Sequence, residues 1–185
     1  ILKFFMNMGV PIYEGYGMTE NSAVATGNKP GSVKLGTVGV PQPDVEIKLA
    51  DDGEILVRHP GVFLGYYKNE EATKETIDQD GWLYTGDVGE YDGEFLKIID
   101  RKKDIIITSG GKNVSPSEIE NNLKTSPYIK EAIVIGDDRK FLSCLIGIEY
   151  DIVSNWALRK NIPHTTYRNL SENEEVQKLI WNEIL

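Results

Sequence analysis

A chain of 185 residues that is 40% hydrophobic and 26% charged has the composition of a globular protein, with room for one ordinary domain or two small ones. Its formal net charge of -9 argues against sequence-blind nucleic-acid binding, which needs a positive surface to displace counterions from phosphates. No apolar run approaches the roughly 20 residues of a membrane-spanning helix, and the single cysteine, Cys144, excludes an internal disulfide framework and fits a reducing, cytoplasmic compartment.

Residues 1–6 lack an initiator methionine and are too short an apolar stretch for a signal peptide, so the expectation is the broken end of a longer chain. Glycine and proline are frequent in the first half, where β-like pieces at 45–49 and 54–57 flank Asp51-Asp52-Gly53 and predict a hairpin. Asn69 is placed to cap a short helix over 69–77. Strands are expected at 95–99 and 105–108, on either side of the charged run 100–104, which is the candidate domain boundary.

Beyond that run the pattern becomes strand, helix, strand, strand, helix. Ser115-Pro116-Ser117-Glu118 combines a cap, a proline at the first helical position and a glutamate at the third, predicting a helix to about Lys124. Residues 133–135 and 142–148 read as two strands around the turn 137–140, with Leu142, Cys144, Ile146 and Ile148 on one face. Cys144 is therefore expected in the core rather than as a nucleophile. A helix from Asp151 places Ile152, Val153, Trp156 and Ala157 together, and Ser171 with Glu174 suggests a second capping box before Val176, Leu179, Ile180 and Ile184. Trp156 and Trp181 are core candidates, and His59 and His164 read as solvated, without the partners a zinc site requires. The pattern at 176–185 runs helically to the last residue, which predicts a cut there too.

Three runs stand apart from this packing logic: Tyr16-Gly17-Met18-Thr19-Glu20, Tyr84-Thr85-Gly86-Asp87, and Asp100-Arg101-Lys102-Lys103-Asp104 leading into Ser109-Gly110-Gly111-Lys112. Together they supply a ring to stack on a base, a hydroxyl for a phosphate, and carboxylates for a metal and a ribose, which are the parts of a site for an adenylate. Each part has a plainer alternative: a tyrosine packed in a turn, glycines that only turn the chain, a Thr-Glu helix start, a turn aspartate after Gly86, and a solvated charge run that suits Lys102 better than Lys103.

In order and spacing the runs resemble the adenylate-forming enzymes: acyl-CoA synthetases, firefly-type luciferases and nonribosomal-peptide adenylation domains. The segments 14–20, 80–87 and 100–107, with Pro127-Tyr128-Ile129 and the stretch 137–143, look most like long-chain fatty acyl-CoA synthetases. The resemblance implies an α+β fold: the β-rich C-terminal portion of a large AMP-binding domain over 1–100, a hinge at 101–103, and a small mixed α/β domain over 104–185 that stops before its end. It implies that Tyr16 stacks on adenine while Gly15 and Gly17 admit the nucleotide, that Thr19 bonds the α-phosphate, and that Glu20 binds Mg2+. Asp87 would hold the ribose hydroxyls, Arg101 would add a cationic donor, Lys103 would be the hinge, and Gly110 and Gly111 would line the coenzyme A path.

The implied partners are ATP or AMP, a fatty acid and coenzyme A, with no nucleic acid. The implied reaction makes an acyl-adenylate and then a thioester. No counterpart is found of the upstream loop that cradles pyrophosphate, or of the segment carrying a terminal lysine. The expectation for this chain alone is therefore AMP affinity without acyl-adenylate formation. Three alternatives stay open: a domain that loads a carrier protein, a non-catalytic AMP-binding module, and a structural piece. Acyl length and oligomeric state are not legible. A fatty substrate is compatible with peripheral membrane contact, although no basic amphipathic helix signals it.

Overall fold

In the computed structural model, which describes residues 2–185, the chain divides between Lys103 and Asp104 into two units. The first begins with α1 (Leu2–Asn7) and three two-residue strands, β1 (Gly15–Tyr16), β2 (Thr26–Gly27) and β3 (Val40–Pro41), paired antiparallel in that order. Strands this short make few ladder bonds, and buried side chains brace them. Thr26 Oγ1 donates to Val38 O at 2.6 Å, Asn28 Nδ2 to Thr37 O at 3.0 Å, and Thr37 Oγ1 to Lys34 O at 2.7 Å.

The expected hairpin follows. Asp51-Asp52-Gly53 joins β4 (Glu46–Leu49) to β5 (Glu54–Arg58), with Gly53 N donating to Ala50 O at 2.9 Å. Then comes α2 (Glu70–Thr76), whose Asn69 cap accepts from Ala72 N as the sequence predicts. The strands β6 (Leu83–Asp92) and β7 (Phe95–Arg101) complete a four-stranded antiparallel sheet in the order β4-β5-β6-β7. Bonds from Val38 N to Leu96 O and from Leu96 N to Gly39 O, both 2.8 Å, fasten the small sheet to β7. Ala25, Ile55, Val57 and Leu96 form the shared core beneath them.

The second unit opens with a small hairpin, β8 (Ile106–Ile107) and β9 (Asn113–Val114), shorter than the strand expected over 105–108. Ser115 caps α3 (Pro116–Leu123) by accepting from Glu118 N at 3.2 Å. Next come the antiparallel strands β10 (Ile129–Ile135) and β11 (Ser143–Ile148) and the helices α4 (Tyr150–Arg159), α5 (Tyr167–Ser171) and α6 (Glu174–Ile184). Ile129, Ala132, Ile148, Val153, Ala157, Leu170, Val176 and Ile180 are buried together, with Cys144, Ile146 and Trp156 packed against them. Cys144 is partly buried against this cluster, and that burial pushes its thiol up.

Several expectations give way to tertiary context. Ser171 is the last residue of α5 rather than a cap; Asn173 caps α6, its Oδ1 accepting from Glu175 N and Val176 N. Trp181 lies on the outer side of α6 and is 59% exposed, so it is no core residue, and Ile152 and Leu142 are also exposed. His164 is not simply solvated, because its ring nitrogens lie 2.7 Å from Ser154 Oγ and 3.1 Å from Ile162 O. His59 Nδ1 accepts from Gly61 N at 3.0 Å, and its Nε2 is buried.

Candidate functional site

Asp87 sits inside β6, not in a turn, and Gly86 before it, in the same strand, has a φ of 72°, a left-handed conformation that a Cβ disfavours. The β5–β6 register shifts there, and Gly86 N, freed from the ladder, donates to Glu54 Oε1 at 2.9 Å. The bulge aims the neighbouring carboxylate. Asp87 is 6% exposed, its Oδ2 accepts the Tyr16 hydroxyl at 2.5 Å, and its Oδ1 lies 2.9 Å from Arg101 Nε. Two neighbouring strands and a segment 71 residues away from Asp87 thus meet at one carboxylate.

Tyr16 reaches it from β1, where Ala25 N donates to Tyr16 O and the ring packs on the core beneath the sheets. Burial first, and donation to Asp87 second, push the Tyr16 hydroxyl well above its ordinary 10.0. The bond to Asp87 fixes the far end of the ring, and packing against the core holds its body.

Thr19 and Glu20 lie in the single 3-10 turn Thr19–Asn21 that follows. Threonine does not cap it; Met18 holds that position, and Met18 N donates to Asn21 Oδ1 at 2.8 Å. Ser22 and Ala23 both have positive φ, 57° and 58°, and Ala23 N closes the loop on Met18 O at 2.8 Å. Two consecutive side-chain-bearing residues in that region are strained, a feature that clusters at functional sites. Gly17 belongs to the same closure, since a Cβ there would come within 2.2 Å of the Ala23 backbone. The loop itself accounts for that glycine, without any ligand. Glu20 is held at both ends: Phe63 N donates to its carbonyl at 2.7 Å and the Tyr66 hydroxyl to its Oε1 at 2.9 Å.

Among the described residues no group of three or more His, Cys, Asp or Glu is placed to hold a metal ion. A lone carboxylate such as Glu20 still suits Mg2+, which binds through one or two carboxylates and takes its other oxygens from phosphates and water.

Arg101 ends β7, and Lys102, although exposed, is tied to carboxylates rather than free. Lys102 N donates to Gly86 O at 2.8 Å, and its Nζ lies 2.7 Å from both Asp52 Oδ2 and Glu54 Oε2. Its hydrogen bonds to those two carboxylates hold the ammonium far above the usual lysine range. At Lys103, the last residue of the first unit, the chain is exposed. Gly110 and Gly111 lie in the second unit, in the exposed turn between β8 and β9 rather than between strand and helix, where Gly111 N donates to Thr108 O at 2.8 Å. The first unit thus joins Tyr16, Asp87 and Arg101 directly and carries Gly15, Gly17, Thr19 and Glu20 on the adjoining segment. Sequence reasoning missed Glu54 and Tyr66, whose partners are separated from them by 32 to 48 residues and leave no local pattern.

Comparison with known proteins shows what the chain as a whole is similar to. Residues 1–67 match the model of the AMP-binding enzyme family, and residues 103–184 match that of the AMP-binding enzyme C-terminal domain. A long-chain-fatty-acid–CoA ligase, FadD15, of Mycobacterium bovis is 45% identical over 85% of this chain and 26% of its own length; long-chain-fatty-acid–CoA ligase 6 of Mus musculus is 40% identical over 96% and 27%. The chain thus spans about a quarter of the length of these curated relatives. Among solved structures, the O-succinylbenzoate coenzyme A synthetase of Bacillus subtilis in complex with ATP and magnesium ion superposes with a TM-score of 0.71 at 35% identity, covering 80% of this chain and 34% of that one. The anthranilate CoA ligase AuaEII in complex with anthranoyl-AMP gives 0.72 at 27% identity, covering 98% and 34%.

Proposed function

Because the chain belongs to the AMP-binding enzyme family, we propose that it serves an ATP-dependent acid–thiol ligase acting on a long-chain fatty acid. In that reaction a carboxylate oxygen attacks the α-phosphorus of ATP, the bond to the β-phosphate oxygen breaks, and acyl-adenylate and pyrophosphate result. The sulfur of coenzyme A then attacks the acyl carbon, its proton passes to solvent, and AMP leaves with the electron pair of the broken acyl–oxygen bond.

The observation that carries this reading is the meeting of Tyr16, Asp87 and Arg101. Tyr16, its hydroxyl anchored on Asp87, stacks on adenine, a contact of about 1–3 kcal/mol by analogy with base stacking elsewhere. Asp87 has lone pairs beyond those used by its two partners, and an ionised carboxylate can accept from both ribose hydroxyls. Arg101 neutralises Asp87 and adds a donor on the same side. Gly15 keeps side chains off the nucleotide edge, and Thr19 bonds the α-phosphate. Glu20 holds Mg2+, which when bound stabilises charge developing on the phosphates. Lys103 supplies the hinge for a domain rotation between the two half-reactions, and Gly110 and Gly111 line the coenzyme A path. The single cysteine supports a reducing, cytoplasmic setting. Among the described residues no helix is long and apolar enough to cross a membrane.

Calorimetric titration with AMP tests the reading. The protein should bind AMP, and Asp87→Ala should weaken binding roughly 10- to 100-fold, as expected for hydrogen bonds to a charged acceptor. Absence of AMP binding, or unchanged affinity in the variant, would overturn the assignment.

A further inference from the structure

The loop after β5 grips the Glu20 turn at three points. Phe63 N donates to Glu20 O, Ser22 Oγ donates to Gly61 O at 2.8 Å, and the Tyr66 hydroxyl donates to Glu20 Oε1. Tyr66 is itself anchored. Its N–H donates to Thr73 Oγ1 at 2.9 Å, that hydroxyl donates to Asn69 O at 2.8 Å, and its ring meets Phe63 edge-on with centroids 4.9 Å apart. The phenol is therefore referenced to the capped start of α2, and it crosses 46 residues of sequence to reach one carboxylate oxygen.

We propose that Tyr66 is the positioning residue for Glu20: by occupying Oε1 it fixes the carboxylate's rotation and leaves Oε2 as the oxygen that takes a hard divalent cation shared with nucleotide phosphates. The inference rests on the reading that Glu20 carries the cation. A carboxylate on a turn samples several rotations, and each one lost before binding is a cost the cation no longer bears. Partners of this outer kind contribute 10- to 100-fold in metal affinity, and Tyr66 lies at the lower end because it is 39% exposed and water replaces it in part.

The test is a titration of Mn2+ into the ATP-bound protein, expressed from its complete reading frame, with free Mn2+ read by electron paramagnetic resonance. Tyr66→Phe should weaken Mn2+ about tenfold while leaving the thermal midpoint and metal-free AMP affinity unchanged. Thr73→Val, which removes the anchor of Tyr66, should shift Mn2+ affinity in the same direction by less. Glu20→Gln, the control for the underlying reading, should weaken it at least as much as Tyr66→Phe. Normal Mn2+ affinity in Tyr66→Phe beside a weakened Glu20→Gln overturns the role of Tyr66 and leaves the cation reading standing. Normal affinity in both overturns both. A parallel fall in thermal midpoint and AMP affinity in Tyr66→Phe also overturns the proposal, because it assigns the residue to packing.

Discussion

The two units are held together by different chemistry. In the first, Asn21, Thr26, Asn28, Thr37, Glu54, Thr85, Asp87 and Asp100 are all buried; in the second, every buried polar or charged side chain is missing among the described residues, and eight apolar side chains form one cluster. Burying a polar group is costly unless its partners are in place, so the first unit fixes its donors and acceptors at defined distances. Apolar packing in the second unit specifies volume more than direction. A region that must aim a carboxylate and a phenol uses the first kind of interior, and a region that need only hold its own shape uses the second.

That contrast can be broken or sharpened by experiment. The largest effect is expected at Leu170, fully buried in the apolar cluster. Leu170→Ala should cost about 3 kcal/mol through lost transfer energy and the cavity left behind, measured by urea unfolding. A cost below about 1 kcal/mol would show that the second unit does not depend on packing as described.

A middle-sized effect concerns Tyr16 and pH. Its folded-state value is raised above the ordinary 10.0, so from about pH 10 the unfolded chain sheds this proton while the folded chain retains it. The stabilisation is therefore complete below pH 10 and declines as the pH rises further. Between about pH 10 and 11 the loss should reach about 1 kcal/mol, and Tyr16→Phe should flatten that part of the stability curve. An equally steep alkaline limb in the variant would deny Tyr16 the buried, carboxylate-bound hydroxyl described above.

The smallest effect separates two caps. Asn173→Ala should cost about 1 kcal/mol, whereas Ser171→Ala should stay within about 0.5 kcal/mol. The reverse order would restore the capping box that the sequence suggests and the structure does not use.

Much of the second unit was legible because its signals are local. Ser115 with Pro116 announces α3, and residues 133–135 and 142–148 announce β10 and β11, since caps and period-two alternation act within a few residues. The same local logic misplaced the start of α6, because it did not see α5 end at Ser171. It also put Trp181 inside, since helical periodicity defines faces without saying which of them a neighbour covers. In the first unit the motifs named Tyr16, Glu20, Asp87 and Arg101. They gave no sign that Lys102 pairs with a buried Glu54, and a charge run in sequence looks solvated until its counter-charges are known.

Sequence by itself determined the residue types: a ring, a hydroxyl, carboxylates and a guanidinium in fixed order, together with the caps and alternation that build the regular elements. Only the tertiary structure decided which of these groups meet. The bulge at Gly86 turns Asp87 towards Tyr16 and Arg101, and the loop after β5 brings Tyr66 to Glu20. The bonds from Tyr16 to Asp87 and from Tyr66 to Glu20 span 71 and 46 residues, and their energies arise only once the chain between them has folded.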